Sequence, residues 1–138
     1  MESEEGKSIR AEKLVKLFET NLGQRMVKAY GLNLLKREVP FHMDIKSTDI
    51  DKTLPEDIYG EEKIMLQGII DCYFEENGEI ILVDYKTDSV KNGDVDSIIE
   101  KYKSQLHYYG KALTATLGKE VKESYLYLFS SDQGVEVK

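Results

Sequence analysis

Residues 67–88 read QGIIDCYFEENGEIILVDYKTD, two short strand-like runs joined by Asn77-Gly78. A type I′ turn needs positive φ at both central residues, and Asn-Gly is the pair that meets this need most readily. With Asn77 and Gly78 as the loop, Glu76 faces Glu79. Counting back along both strands, Asp71 faces Asp84. Side chains alternate along a strand, so Asp84 and Lys86 share a face, and Asp71 joins them. Directly opposed residues bring their Cβ atoms to about 4.5–5.5 Å, where like charges repel. Two carboxylates placed this way need positive charge between them, from a divalent cation or from the ammonium of Lys86. A solvated hairpin edge is the plainer explanation. Against it, Ile80-Ile81-Leu82-Val83 is apolar on both faces, and a strand buried on both sides does not end in Asp-x-Lys by default.

The rest of the chain surrounds this hairpin with an α/β pattern. From Ile9, Leu14, Leu17, Phe18 and Leu22 recur at helical spacing, with a break expected near Thr20 or Asn21 and at Gly23. Residues 1–8 are polar and expected to fray. A second short helix should run to about Tyr30, with Gly31 just past its end. Arg25, on this helix, reads as an exposed arginine within possible reach of a phosphate. Residues 34–45 (LLKREVPFHMDI) read as a strand in which Leu35, Arg37, Val39, Phe41, Met43 and Ile45 alternate with Lys36, Glu38, His42 and Asp44. Pro40 points to an edge position or a bulge. Glu38 is on the polar side, either a further carboxylate near the cation or simply solvated. His42 reads as a surface histidine. Residues 46–62 read as a polar loop.

After the hairpin, residues 91–96 read as a turn. Asp94 or Asp96 should cap a long helix that stops at Gly118. Its apolar stripe is Ile98, Ile99, Tyr102, Leu106, Tyr109, Leu113 and Leu117. Gln105 and Tyr109, four apart, lie on one face, and the Gln105 amide is either a boundary residue or a contact to a phosphate or a site water. His107 falls off that face. Residues 124–129 (SYLYLF) form an apolar strand expected to lie parallel to Ile80–Lys86, because a long helix separates the two. A short strand at 135–137 should return across Asp132-Gln133-Gly134. The fold expected is a mixed central sheet flanked by helices, with the carboxylates near the C-terminal end of a central strand.

At 138 residues the chain is one domain with a substantial core. Its net charge of −7 argues against a surface that grips nucleic acid unaided. Carboxylates gathered around a cation can still act on phosphodiesters if the metal, or a larger partner, supplies positive charge. The lone cysteine, Cys72, rules out a disulfide framework within the chain. It faces away from Asp71 and reads as a core residue. No apolar run approaches a membrane span, and the opening MESEEGKSIR is no signal peptide, so a cytoplasmic protein is expected. No phosphate-binding G-x-x-x-x-G-K-[ST] loop is present, so no nucleotide-driven motor is held in these residues.

Asp71 and Asp84 can hold one or two Mg²⁺ ions, with the backbone carbonyl of Tyr85 as a further oxygen. Such a cation would lower the pKa of a bound water and stabilise charge on phosphoryl oxygens. Lys86 would orient the attacking water or neutralise developing charge. That set suits metal-assisted phosphodiester hydrolysis.

Asp71…Asp84-x-Lys86 resembles the PD-(D/E)xK nuclease signature. Gly68-Ile69-Ile70-Asp71, Asp84-Tyr85-Lys86-Thr87 and Gln105-x-x-x-Tyr109 are similar to its RecB-type branch. Arg37-Glu38-Val39-Pro40-Phe41, Val83 to Asp88, Tyr102-x-x-Gln105-Leu106 and Tyr125 to Phe129 bring the wording close to the nuclease domain of AddA-type helicase–nucleases, in order along nearly the whole chain. The resemblance implies a restriction-endonuclease-like fold and Mg²⁺-dependent cleavage of DNA, with Mn²⁺ able to substitute, during double-strand break processing and recombinational repair. It implies Asp71 and Asp84 as metal ligands, Lys86 as the catalytic lysine, Gln105 and Tyr109 beside the site, and Glu38 as a weaker carry-over. The partners it implies are DNA, a helicase portion of the same polypeptide and an AddB-like subunit. The family carries a histidine on an upstream helix that neither His42 nor His107 matches, so a fragment of a longer helicase–nuclease polypeptide is expected. The competing expectation is a non-catalytic docking module with a nuclease-like fold.

Overall fold

A computed structural model of the protein describes residues 4–50, 52–90 and 93–138. Residues 1–3 of the expected frayed start, Asp51 of the polar loop, and Lys91 and Asn92 of the turn before the long helix lie outside the described residues. Two helices, α1 (Glu4–Glu19) and α2 (Asn21–Gly31), precede the edge strand β1 (Leu35–Lys46). Single-turn helices α3 (Ser47–Ile50) and α4 (Glu56–Tyr59) lead to the hairpin strands β2 (Lys63–Glu76) and β3 (Glu79–Lys86). The long helix α5 (Val95–Leu117) is followed by β4 (Val121–Leu128) and β5 (Gln133–Glu136). The five strands form one mixed sheet in the order β1-β2-β3-β4-β5. Only β3 and β4 are parallel, and α5 connects them.

The hairpin has the expected register. Asn77 (φ 52°) and Gly78 (φ 80°) occupy the left-handed region, and the ladder runs from Glu76–Glu79 to Cys72–Val83. Ile80, Ile81, Leu82 and Val83 are fully buried, alternating between two cores. Ile81 and Val83 pack with Leu17, Met26 and Cys72 beneath α1 and α2, whereas Ile80 and Leu82 pack with Ile98, Leu106 and Leu113 of α5. Each such side chain contributes about 1.5–3 kcal/mol of apolar burial. That anchorage holds the next residues, Asp84 and Lys86, in a fixed place.

The helices differ in detail from the sequence expectation. α1 starts at Glu4 rather than Ile9, with Glu4 and Glu5 in its first turn, where acidic residues suit the helix dipole. The break falls at Thr20, whose hydroxyl accepts the Gly23 N–H and caps α2, so Leu22 and Gly23 lie inside the second helix. Gly23 is there for closeness. A Cβ on it would sit 1.9 Å from the Leu17 carbonyl oxygen. Gly31 is the last helical residue, and the left-handed position beyond it is Asn33 (φ 61°). The stretch expected as plain loop contains α3 and α4. The last turn spans residues 129–132, so Gln133 and Gly134 already belong to β5. α5 keeps its expected ends, with Asp94 accepting from the Ser97 N–H (3.2 Å) and Gly118 left-handed (φ 68°).

One departure bears on the site. Strict alternation would put Leu35, Arg37, Val39 and Phe41 on one face of β1. Instead Leu35 and Arg37 border the α1–α2 side, and Val39 and Phe41 pack beneath α5. The switch occurs at Glu38, which takes φ 51°, and the β1–β2 ladder skips the Glu38–Asp71 step without losing register. On β2, Ile70 likewise joins the α5 core while Cys72 and Phe74 join the other. Both strands therefore turn over at the level of the carboxylates.

Candidate active site

Asp71, Asp84, Lys86, Gln105 and Tyr109 meet on the α5 side of the sheet. Asp71 sits just beyond the last laddered pair of the hairpin, and its Oδ2 accepts the backbone N–H of Tyr85 at 2.9 Å. Asp84 is 3% exposed, beside Asp71. Lys86 Nζ forms an ion pair with the buried Asp84 Oδ2 at 2.9 Å. Burial first, and then the neighbouring Asp71, push the Asp84 carboxyl up to about 6 against the pull of Lys86. Lys86 Nζ donates to Gln105 Oε1 (3.0 Å), and Gln105 Nε2 donates to the Tyr109 hydroxyl (3.0 Å). The i, i+4 spacing on α5 makes that relay possible. Burial and the Asp84 carboxylate raise the Tyr109 hydroxyl above its ordinary value, which keeps it neutral. Its ring meets Phe41 edge-on at 5.0 Å. Gly68 leaves room for this contact, since a Cβ there would lie 3.2 Å from the Phe41 ring.

The remaining candidates lie around this centre. Tyr85 turns its side chain to the opposite core, and its phenol is raised by burial beside Cys72. Cys72 itself is fully buried, with its thiol pushed up to about 12, mainly by burial. Glu38 falls opposite Asp71 in the strand register and is exposed. Among the described residues, no third His, Cys, Asp or Glu gathers with Asp71 and Asp84 into a ready three-ligand cluster. His42 and His107 are both exposed. Arg25, read as a possible phosphate contact, is instead bound to Glu76 (2.7 Å) and Glu123 (3.0 Å) near the turn end of the hairpin. Sequence reasoning placed Tyr102 in an apolar stripe and in the Tyr102-x-x-Gln105-Leu106 motif, without a role at the site. Its ring centroid lies 4.1 Å from Lys86 Nζ. Its position three residues before Gln105, on the same helix face, was the available signal.

Two neighbouring carboxylates, one of them buried, and a lysine on the same face form a set that suits a hard divalent cation. Residues 3–137 match the PD-(D/E)XK nuclease superfamily. The chain belongs to that superfamily. Its sequence is 58% identical over 128 residues to an ATP-dependent helicase/nuclease subunit of Clostridium kluyveri, covering 93% of this chain and 10% of the relative. The corresponding protein of Clostridium novyi is 51% identical over 135 residues, covering 98% of this chain and 11% of the relative. That of Thermoanaerobacter sp. (strain X514) is 48% identical over 126 residues, covering 91% and 10%. The chain thus spans about a tenth of the length of the curated relatives it matches. The five-stranded mixed sheet with its helices agrees with the restriction-endonuclease-like fold of this superfamily. Among the described residues, no helix is long and apolar enough to cross a membrane.

Proposed function

We propose that this chain is a divalent-cation-dependent DNA nuclease domain, working within an ATP-dependent helicase/nuclease that processes double-strand breaks for recombinational repair. The observation that carries the reading is the pair Asp71 and Asp84. The second of these is buried, and the charge partner of its Oδ2 is Lys86 Nζ at 2.9 Å. The superfamily match and the helicase/nuclease relatives support the DNA substrate and the helicase setting. An AddB-like partner belongs to the same proposal.

Asp71 and Asp84 would hold Mg²⁺, or Mn²⁺ in its place, with the Tyr85 carbonyl as a further oxygen and Glu38 as a candidate outer carboxylate. When bound, such a cation supplies Lewis acidity toward phosphoryl oxygen and a more acidic water. The backbone N–H of Tyr85 orients the Asp71 carboxylate. Lys86, held by Gln105, presents a fixed positive charge beside the carboxylates, where it orients the attacking water and offsets charge growing on the phosphate. Gln105 is held in turn by Tyr109. The low exposure of Asp84 and Lys86 (side chains 4% and 17%) keeps competing bulk water from screening that charge.

The test is cleavage of single-stranded DNA with Mg²⁺ or Mn²⁺. Wild-type protein should cut, and Asp84→Ala and Lys86→Ala should not. Normal cutting by either variant would overturn the assignment.

A further inference from the structure

We propose that Tyr102, fixed by Asp88, is a positioning residue for the Lys86 ammonium in the nuclease reaction, a role that rests on the nuclease reading above. A lysine side chain has many rotamers and does not hold one geometry without several partners. Lys86 has three: Asp84 Oδ2 at 2.9 Å, Gln105 Oε1 at 3.0 Å and the Tyr102 ring at 4.1 Å from its centroid. Asp84 is the weakest anchor for this purpose. It is also a candidate cation ligand, and a bound cation would compete with Lys86 for it. Gln105 and Tyr102 are neutral. They can hold an ammonium without cancelling its charge, which leaves that charge available to a phosphate.

The ring is itself fixed. The Tyr102 hydroxyl donates to Asp88 Oδ1 at 2.8 Å, and Lys101 Nζ donates to Asp88 Oδ2 at 3.0 Å. The Asp88 carbonyl oxygen accepts from Ser130 Oγ at 2.6 Å. Two residues of α5, Lys101 and Tyr102, are thereby tied to the segment that follows β3, two positions past Lys86. Tyr102, Gln105 and Tyr109 are spaced three and four apart, so a single helix face presents a ring, an amide and a hydroxyl toward the lysine. An aromatic in a core stripe would need only apolar neighbours. The capped hydroxyl and the ammonium over the ring are what a packing role leaves unexplained.

The test uses the whole polypeptide in which this sequence occurs, with Tyr102→Leu (ring and hydroxyl lost), Tyr102→Phe (ring kept) and Mn²⁺ with single-stranded DNA. Cleavage kinetics are paired with NMR of ¹³C-labelled lysine, in which Lys86 is assigned by its loss in Lys86→Arg. Tyr102→Leu should lower kcat about 30-fold, the worth of a desolvated cation–π contact, with KM within about twofold. Tyr102→Phe should restore most of kcat. The Lys86 ε-methylene protons should show an upfield ring-current shift in wild type and Tyr102→Phe and lose it in Tyr102→Leu. Wild-type kcat in Tyr102→Leu overturns the role, as does a kcat loss that Tyr102→Phe shares in full. An absent ring-current shift in wild type overturns it without recourse to activity or to a variant that must fold. Wild-type protein that fails to cut DNA overturns the nuclease reading first. A ring-current shift in such an inactive protein would then mark packing alone.

Discussion

The β2–β3 hairpin carries acidic residues at both ends, and the two ends treat them differently. At the turn end, Glu75, Glu76 and the nearby Glu123 each have a cation of the protein's own. Lys119 pairs with Glu75, and Arg25 bridges Glu76 and Glu123 while also bonding the Tyr125 hydroxyl. These contacts lower the Glu76 and Glu123 carboxyls and raise Arg25 further above its ordinary value. At the other end, the buried Asp84 pairs with Lys86, and Asp71 beside it accepts the Tyr85 backbone N–H. At the turn end two protein cations serve three partly exposed carboxylates. At the site two neighbouring carboxylates, one of them buried, stand beside one lysine, an arrangement that suits an external cation.

Substitutions at each end should therefore trade stability and activity in opposite directions. The largest effect is expected for Asp84→Asn, which should lower DNA cleavage by at least about a thousandfold. The same change should raise the stability of the cation-free protein by about 1 kcal/mol, since it removes a buried charge opposed by another. Paired cleavage rates and urea unfolding check this. A variant that is both inactive and destabilised breaks the contrast.

Arg25→Ala should do the reverse. Loss of its charge-assisted hydrogen bonds should cost about 1–3 kcal/mol, with the lower part of that range favoured because the side chain is 28% exposed. Cleavage per folded molecule should stay within about twofold of wild type.

The pH dependence of stability should separate the ends as well. Glu76 and Glu123 have lowered folded values, so their contribution is present above the unfolded value of 4.5 and lost as pH falls through the folded one. Asp84 is raised to about 6, so its contribution is full below 3.8 and lost as pH rises through about 6. Urea titrations of the cation-free protein should accordingly show a gain from Asp84 between pH 7 and pH 5, and a loss from the glutamates below about pH 4.5. Saturating Mn²⁺ should remove the first and spare the second. The smallest effect concerns Cys72. Its buried thiol should resist alkylation in the folded protein at pH 8 and react only on unfolding, as followed by mass spectrometry.

Much of this contrast can be read from residue types. Asn77-Gly78 determines the register that brings Asp71 to Asp84, and Asp94 and Gly118 mark the ends of the helix that covers them. The shared face of Gln105 and Tyr109 follows from helical spacing, whereas the bond from Lys86 to Gln105, read from sequence as a boundary residue or a contact to a phosphate or water, shows only in the fold. Other features depend on tertiary context. A glutamate at φ 51° is not signalled by its side chain, so the turnover of β1 and β2 at Glu38 could not be anticipated. Thr20 rather than Gly23 divides the first two helices because the hydroxyl finds a backbone N–H, while the glycine serves a close helix contact. Arg25 looks free in sequence because its acids lie 51 and 98 residues away. Tyr102 reads as core because aromatic stripes usually are, and only its distance to Lys86 reveals the second contact.

The central claim is that Asp71 and Asp84 form a cation site. Anomalous diffraction from crystals of the protein soaked in Mn²⁺ tests it most directly. A peak about 2.0–2.2 Å from carboxylate oxygens of both residues, absent in Asp84→Asn, is the predicted result. Full soaking with no peak between them, or a peak only among the surface glutamates, would contradict it.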